Sequence, residues 1–306
     1  MRNSSMMALS ANALTFAHVS DLHLPHEPRL TWAQRFSKRQ LSVRSWRRRR
    51  AVQSPEILEA LRVELRAHHP DHVVVTGDIT NFSLPEEFVQ AARWFADLVP
   101  AGSLSAVPGN HDALVPVPHA QGLGLLAPYM TQEGGWPYVR RCGHVAFIGL
   151  NSALPTPPLL ATGRLGAQQL ARLEGILKEQ GGAGRRRVVL LHHPPVDGAV
   201  SPRKALADRA ELRAVLQRAG AELILHGHAR SARLESLAGP HGPIPVLCVP
   251  SSTALPNPRD EAARWHLISL PDAGERWAQV RVRQWSLAAK SFVDAAGYEL
   301  RLPEVE

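Results

Sequence analysis

The chain has 306 residues, of which 44% are hydrophobic and 20% are charged, as in an ordinary soluble globular protein. Its formal net charge is +8, but nine basic and no acidic residues lie between Arg29 and Arg50, so the rest carries 8 − 9 = −1. The positive field is therefore a local patch, and no apolar run approaches the roughly 20 residues that cross a bilayer.

Buried strands and amphipathic helices alternate through the first half of the chain, and three of the strands end in polar clusters. Strand 14–20 leads to Asp21-Leu-His23, strand 72–76 to Gly77-Asp78, and strand 104–107 to Gly109-Asn110-His111-Asp112. Helices are predicted over 55–67, with Ser54 as N-cap, and over 85–98. Residues 113–137 are rich in Gly and Pro and are predicted to be a loop with short helical pieces.

The second half repeats this alternation and ends two further strands in histidines. Strand 187–191 leads to His192-His193, and strand 222–226 ends at His226-Gly227-His228. The remaining predicted elements are strands near 138–141 and 144–150, helices over 166–180 and 207–219, and strands over 264–270 and 277–285. The pattern predicts an α/β (α+β) layered domain over 14–306, preceded by a disordered tail over 1–13.

Polar side chains that leave the ends of neighbouring buried strands converge on one crevice, and this set suits a site for two divalent metals. We expect Asp78 to bridge the two cations, with Asp21 and His23 on one side. Asn110, His192 and His228 supply ligands for the other, and Mn²⁺ is favoured, with Fe or Zn as alternatives. His111 is then free as a general acid or phosphate contact, with Asp112 orienting it.

In this order, the clusters resemble the calcineurin-like metallophosphoesterase superfamily, whose pattern is D-x-H, G-D, G-N-H-D/E, H and G-H-x-H. The resemblance covers residues 14–255. It implies a four-layer sandwich of two central mixed β-sheets flanked by helices. It also implies hydrolysis of phosphoester or pyrophosphate bonds by a metal-bound hydroxide that attacks phosphorus in line, and it supports the ligand set above.

One position departs from the family pattern, because Arg230 stands where the last histidine of G-H-x-H is expected. Three alternatives follow. The first metal keeps Asp21, His23 and Asp78 and binds more weakly, or Arg230 grips substrate phosphate while a single metal works, or the site is non-catalytic. We expect Arg230 and His193 to contact substrate.

The basic patch forms an insert over residues 28–54 directly after the first cluster. Trp32, Phe36, Val43 and Trp46 are spaced as on one side of a helix. Either these aromatics pack on the core beneath a solvated charged face, or residues 29–50 touch an anionic membrane surface. No specific nucleic-acid module accompanies the patch.

Ser37-Lys38-Arg39 and the residues around Asp78 are similar to bacterial UDP-2,3-diacylglucosamine pyrophosphatases, which implies a phosphate-containing lipid substrate. A cyclic-nucleotide phosphodiesterase is the alternative enzyme, since His-His-Pro-Pro also occurs in that branch. A binding protein without catalysis on the same fold is the alternative from another class. With only Cys142 and Cys248, the chain is expected in the reducing cytoplasm. The membrane alternative for residues 29–50 would place it peripherally on the inner face of the membrane.

Overall fold

Within residues 13–49, 52–130 and 135–305, which the computed structural model describes, twelve strands form two mixed sheets of six strands each. The strands are β1 (Leu14–Val19), β2 (His72–Val75), β3 (Leu104–Ala106), β4 (Tyr138–Cys142), β5 (Val145–Gly149), β6 (Arg186–Leu190), β7 (Leu223–His226), β8 (Arg233–Leu237), β9 (Ile244–Cys248), β10 (Arg264–Leu270), β11 (Trp277–Ser286) and β12 (Ser291–Arg301). The tail predicted over 1–13 lies outside the described residues except for Ala13.

The helices are α1 (Lys38–Arg49), α2 (Pro55–His68), α3 (Pro85–Leu98), α4 (Ala127–Met130), α5 (Ala167–Gly182) and α6 (Arg209–Ala219). The first sheet has the order β12-β11-β10-β1-β2-β3, and the second has the order β4-β5-β6-β7-β9-β8. The central strands of each sheet pair in parallel, and both sheets add antiparallel partners at their flanks.

Three apolar layers hold the elements together. The two sheets pack face to face through residues such as Phe16 and Phe147, whose ring centroids are 5.2 Å apart. Helices α2 and α3 cover the outer face of the first sheet, and α5 and α6 cover that of the second. The order is therefore helices, sheet, sheet, helices, and the predicted four-layer sandwich is confirmed.

The local signals in the sequence explain most boundaries. The Ser54 hydroxyl accepts a hydrogen bond from the backbone N–H of Ile57, and Pro55 occupies the first turn of α2. Strands β2, β6 and β7 are buried along their whole length, as apolar runs within a sheet covered on both faces should be. No helix in the described part of the chain combines the length and apolarity needed to span a membrane.

The basic insert differs from the single helical face that its spacing predicts. Trp32 and Phe36 belong to a short 3₁₀ turn, extended backbone at Ser37 interrupts it, and α1 begins only at Lys38. Val43 and Trp46 pack against the loop that follows Asp78, through Phe82 and Leu84. The packing alternative therefore holds for the second pair of apolar residues and is wrong for the first, which is exposed.

Helix α1 is anchored on two sides by consecutive residues. The Lys38 Nζ donates to the Thr156 carbonyl and hydroxyl and to the Leu160 carbonyl, at 3.2, 2.7 and 2.8 Å. The buried Arg39 guanidinium donates to the carbonyls of Phe82 and Ser83, at 2.9 and 2.6 Å. The helix thus spans the space between the loop after β2 and the loop after β5.

Candidate metal centre

The carboxyl ends of β1, β2, β3, β6 and β7 meet at one edge of the sandwich and bring the predicted polar clusters together. The backbone N–H of Asp21 donates to the Gly77 carbonyl, and that of His23 donates to the Asp78 carbonyl, each at 2.9 Å. The loops after β1 and β2 are therefore joined directly, as parallel neighbours of one sheet allow.

Asp78 lies at the centre of this edge. Its Oδ2 is 3.8 Å from the His23 Nε2 and 3.4 Å from the His192 Nε2. Two sets of ligand atoms, each within 4.8 Å of one another, share this carboxylate: Asp78 with His23 and His111, and Asp78 with His192 and His228. This arrangement fits a carboxylate that bridges two cations.

The imidazoles of the second set are oriented by backbone carbonyls. The His192 Nδ1 lies 2.7 Å from the Thr76 carbonyl, and the His228 Nε2 lies 3.1 Å from the Lys204 carbonyl. A carbonyl can only accept, so each of these nitrogens carries the proton. The opposite nitrogens, His192 Nε2 and His228 Nδ1, then face each other 3.2 Å apart, next to Asp78. Two lone pairs and a carboxylate around one point are a donor set that fits a divalent cation.

The first set follows the same rule. The His23 Nδ1 is 3.2 Å from the Thr80 carbonyl, and the His111 Nδ1 is 2.8 Å from the Asn81 carbonyl. Their rings meet edge to face with centroids 4.9 Å apart. The Nε2 atoms of both rings are therefore the atoms presented toward Asp78.

The Asn110 side chain gives independent evidence that a cation belongs in the site. Its side-chain Oδ1 is buried and has no hydrogen-bond donor among the described residues. A buried carbonyl oxygen without a donor is costly unless something else, such as a cation, takes its lone pairs. This observation fits the predicted role of Asn110 as a neutral ligand.

Asp112 has a different role from the predicted one. Its carboxylate accepts hydrogen bonds from the N–H groups of Ile79, Thr80 and Gly109, at 2.7 to 3.2 Å. His111 is instead oriented by the Asn81 carbonyl. The prediction that Asp112 orients the His111 ring is corrected, because its side chain is already occupied in joining the loops after β2 and β3. It is a positioning residue in this structure.

Asp21 and the last motif approach each other unusually closely. The Asp21 Oδ2 accepts hydrogen bonds from the Ser20 hydroxyl at 2.7 Å and from the His228 N–H at 3.1 Å. A Cβ at Gly227 would lie 1.9 Å from the Ser20 Oγ and 2.5 Å from this Asp21 oxygen. Glycine at 227 is therefore what lets the loop after β7 reach the loop after β1.

The charges of the centre favour a cation. Burial alone would lower the pKa of His192, but the Asp78 and Asp21 carboxylates raise it to about 9. Burial opposes ionisation of Asp78, yet the rings of His192, His111 and His23 hold its pKa well below the usual range. Burial and the Asp78 charge raise the pKa of Asp112 to about 6. Positive charge is thus stabilised at the point where the two imidazoles face Asp78.

The backbone around the site is strained. Among the described residues, nine other than glycine have positive φ, and five of these are site residues: Asp21, His23, Asp78, His228 and Arg230. Such conformations cost of order 1–3 kcal/mol each and persist only where the surrounding structure imposes them. Their concentration here agrees with a functional edge.

The two predicted substrate contacts behave differently. Arg230 lines the cavity above the centre together with Asp21 and His23, and its guanidinium is 3.4 Å from the Asp260 carboxylate. His193 is fully buried, its Nδ1 is 2.8 Å from the Ser152 hydroxyl, and it lies outside the cavity lining. The prediction of a substrate contact at His193 is corrected, because its ring is buried behind those of His192 and His228, with centroids 5.1 and 4.8 Å away, and its Nδ1 is taken by Ser152.

Several functional groups escaped the sequence analysis because they are main-chain atoms. The carbonyls of Thr76, Thr80, Asn81 and Lys204 fix the four imidazoles. Three of them flank Gly77-Asp78, so the neighbourhood was visible in the sequence, but the carbonyl role was not. Lys204 ends a short 3₁₀ helix and Asp260 lies in a loop. Neither segment contains a motif or a hydrophobic period that would mark it in the sequence.

Comparison with known proteins places the fold and the family. The structure is similar to a dimetal phosphatase from Danio rerio, with a TM-score of 0.57, 14% identity and coverage of 95% of this chain and 99% of that one. It is also similar to purple acid phosphatase PPD1 from yellow lupin (Lupinus luteus) seeds, with a TM-score of 0.56, 13% identity and coverage of 95% and 54%. At such identities these likenesses concern the fold alone.

No curated protein shows significant similarity to the chain. The family model of the calcineurin-like phosphoesterases matches residues 14–229, which contain every proposed metal ligand. The chain therefore belongs to the calcineurin-like phosphoesterase family and is a phosphoester hydrolase whose chemistry depends on metal.

Proposed function

We propose that the site hydrolyses a phosphoester or pyrophosphate bond in an anionic substrate that also has an apolar part, such as a UDP-linked lipid precursor. The observation that carries this proposal is the cavity above the metal centre. It has a volume of about 760 Å³ and is bounded by the loops after β1, β2, β3 and β5, by α1, and by the loop around Arg203.

The charges of the cavity wall favour a phosphate-rich ligand. Six cationic residues line it: Lys38, Arg44, Arg203, Lys204, Arg230 and Arg259. The acidic residues of the lining are Asp21 and Asp78, both proposed metal ligands. A concave surface of one sign concentrates ligands of the opposite sign.

The same wall has an apolar side. The cavity is also lined by the apolar residues Leu41, Leu114, Leu159, Leu160 and Ala161. Leucines beside guanidinium groups suit a substrate that is charged at one end and hydrocarbon at the other. A small phosphomonoester would leave these leucines without a partner.

In the proposed reaction, Asp21, His23 and Asp78 would hold the first cation, and Asp78, Asn110, His192 and His228 would hold the second. When bound, the cations supply a nucleophile at neutral pH and neutralise charge on the phosphoryl oxygens; Mn²⁺ is the expected metal. His111, whose Nδ1 is fixed on the Asn81 carbonyl, presents Nε2 to the phosphoryl group and to the leaving oxygen.

Arg230 is assigned to substrate phosphate. Its guanidinium lines the cavity, and the Asp260 carboxylate at 3.4 Å holds it there. A guanidinium supplies paired N–H donors that match phosphate oxygens. The remaining alternative is a first metal site that merely lacks one ligand.

The decisive experiment is a hydrolysis screen of the Mn²⁺-loaded protein against phosphomonoesters, aryl phosphodiesters, cyclic AMP and nucleoside-diphosphate lipids. We expect the highest kcat/KM on nucleoside-diphosphate lipids. Activity confined to cyclic AMP would favour the phosphodiesterase alternative. Absence of bound metal together with inertness on every substrate would favour a binding protein.

The R230H variant separates the two roles of residue 230. If Arg230 binds phosphate, R230H raises KM at least about tenfold and leaves the metal stoichiometry unchanged. If the residue only marks a weakened metal site, R230H instead raises the affinity for a second Mn²⁺, measured by calorimetry, with KM unchanged.

A further inference from the structure

Two large aromatic side chains of the basic insert stand exposed to solvent. Trp32 and Phe36 are 77% and 76% exposed and contact each other edge to face, with ring centroids 4.9 Å apart. They take no part in the hydrophobic clusters of the described chain, whereas Val43 and Trp46 of the same insert do. The two side chains therefore contribute nothing to the packing of the core. A pair of exposed aromatic rings indicates a surface that binds an apolar partner.

The aromatic pair lies within the strongest concentration of positive charge in the chain. Arg29, Arg35, Arg44 and Arg47 are all exposed, and none of them forms an ion pair with another described residue. The sequence from Arg29 to Arg50 contains no acidic residue that could neutralise them. This part of the surface therefore presents cations without ion-pair partners among the described residues, together with two exposed aromatic rings.

The basic insert reaches the mouth of the cavity through the exposed residues Leu41 and Arg44, which line it. Leu41 of α1 and Leu159 of the facing loop are exposed, Leu159 to 79%, and both line the cavity that opens on the metal centre. Leu159 holds a positive φ of 68°, a strained conformation for a leucine that points outward. Exposed apolar groups thus border both the basic insert and the route to the site.

We propose that Trp32, Phe36, Leu41 and Leu159, with the exposed arginines of residues 29–47, form a docking surface for an anionic phospholipid bilayer. Aromatic rings settle at the headgroup level of a membrane, and each nearby arginine is attracted by the negative surface potential. Bound in this way, the cavity mouth faces the bilayer. The proposal concerns the surface and does not depend on which phosphoester the site cleaves.

The phosphates of an RNA partner would bind the arginines, but RNA has no hydrocarbon surface to contact the leucines at the cavity mouth. A second protein would be expected to offer carboxylates in a fixed pattern. A bilayer meets both requirements at once, because charge and hydrocarbon lie a few ångströms apart over an extended plane. Charge complementarity and the exposed aromatics therefore favour a membrane.

The test is co-sedimentation of the full chain with vesicles of phosphatidylcholine alone and of phosphatidylcholine with roughly one-third phosphatidylglycerol. We expect binding to the anionic vesicles that weakens with added salt. W32A/F36A and R35E/R47E should each lower the partition coefficient at least about tenfold. Neither pair lines the cavity, so hydrolysis of a soluble aryl phosphodiester should be unchanged and serves as the folding control.

Two matched variants change the same residue types elsewhere. Trp277 is 54% exposed on β11, and Arg301 is exposed at the end of β12, so W277A and R301E should bind vesicles like the original chain. The proposal is overturned if W32A/F36A binds anionic vesicles normally, or if W277A and R301E lose binding equally. Binding of single-stranded RNA but not of vesicles, abolished by R35E/R47E, would also overturn it.

Discussion

The Nε2 of His192 and the Nδ1 of His228 face each other across 3.2 Å, while the other nitrogen of each ring is occupied by a backbone carbonyl. Two unprotonated nitrogens at this distance repel unless a positive charge lies between them or one ring gains a proton. The Asp78 carboxylate beside them strengthens the demand for positive charge. The side chains of the centre are therefore already oriented so that a positive charge at this point is favoured.

Divalent metal should stabilise the folded chain. At a free Mn²⁺ concentration one hundred times the dissociation constant, we expect the free energy of unfolding to rise by about 2.7 kcal/mol. Urea unfolding with Mn²⁺ and with a chelator measures this difference. H228A should lose the effect, and H119A, which changes an exposed histidine, should keep it. Equal unfolding free energies with and without metal would contradict the assignment.

Replacing the central carboxylate should disable the reaction. D78N keeps the shape of the side chain but removes the charge shared by both ligand sets. Turnover of an aryl phosphodiester should fall at least about a hundredfold, the scale of losing one key electrostatic group. D71N is the matched control, because Asp71 accepts hydrogen bonds from Thr15 near the amino-terminal end of β1, away from the site. Normal turnover in D78N would sink the bridging role.

Gly109 should tolerate no side chain, in contrast to Gly175. A Cβ at 109 would lie 2.2 Å from the Asp78 Oδ1 and 2.3 Å from the Asp78 backbone nitrogen, whereas one at 175 on α5 meets nothing within 4 Å. We expect G109A to lose about 1–3 kcal/mol of stability and its metal, and G175A to gain about 0.5–1 kcal/mol. Chemical unfolding and metal analysis of both variants check the contrast. Metal retained by G109A at normal stability would show that the loops can separate freely.

Glu87 should make stability fall as pH rises. Burial raises the pKa of its carboxyl to about 7 from an ordinary 4.5, although the N–H groups of Leu84, Asn81 and Phe82 donate to it. The folded chain therefore keeps a proton that the unfolded chain releases. The stabilisation from this group is present below pH 4.5 and is lost as the pH rises through about 7.

The E87Q side chain is a neutral amide that does not ionise in this pH range. The free energy of unfolding of E87Q minus that of the original chain should increase by about 1–3 kcal/mol between pH ~5 and pH ~8, because only the original chain loses stability over this range. Urea unfolding at both pH values measures the change. E86Q, at the exposed neighbouring position, should show no such trend. A constant difference between E87Q and the original chain would mean that Glu87 is ionised throughout.

The sequence was sufficient to predict the elements that surround the candidate metal centre, because each proposed ligand lies within four residues of the end of a buried strand. Helix α3 begins and ends where its apolar spacing predicts, at residues 85 and 98. The fold class, the family and the gathering of the ligand side chains follow from the same signals. Strand β8 was missed because it is a short edge strand, and β12 because Ala295-Ala296-Gly297 has no alternation of its own.

Other errors arose where adjacency in sequence did not mean contact. Asp112 follows His111 directly, yet its carboxylate turns toward backbone N–H groups of another loop. The spacing of Trp32, Phe36 and Val43 fits one helix, but the extended backbone at Ser37 divides the segment. Tertiary hydrogen bonds fix the Asp112 side chain, and a local backbone break at Ser37 divides the insert. Hydrophobic periodicity in the sequence predicts neither feature.

Lys38 and Arg39 are neighbours in the chain, but they grip opposite walls of the cleft. Helix α1 is consequently held in one position, since a rotation that improved its contacts with one loop would break its hydrogen bonds to the other. Lys38 and Leu160 both line the cavity, so the contact that anchors the helix also fixes this part of the cavity wall. Substitutions at exposed positions of the insert, such as Arg29 and Arg35, remove neither of these anchors and so leave the wall of the cavity as it is.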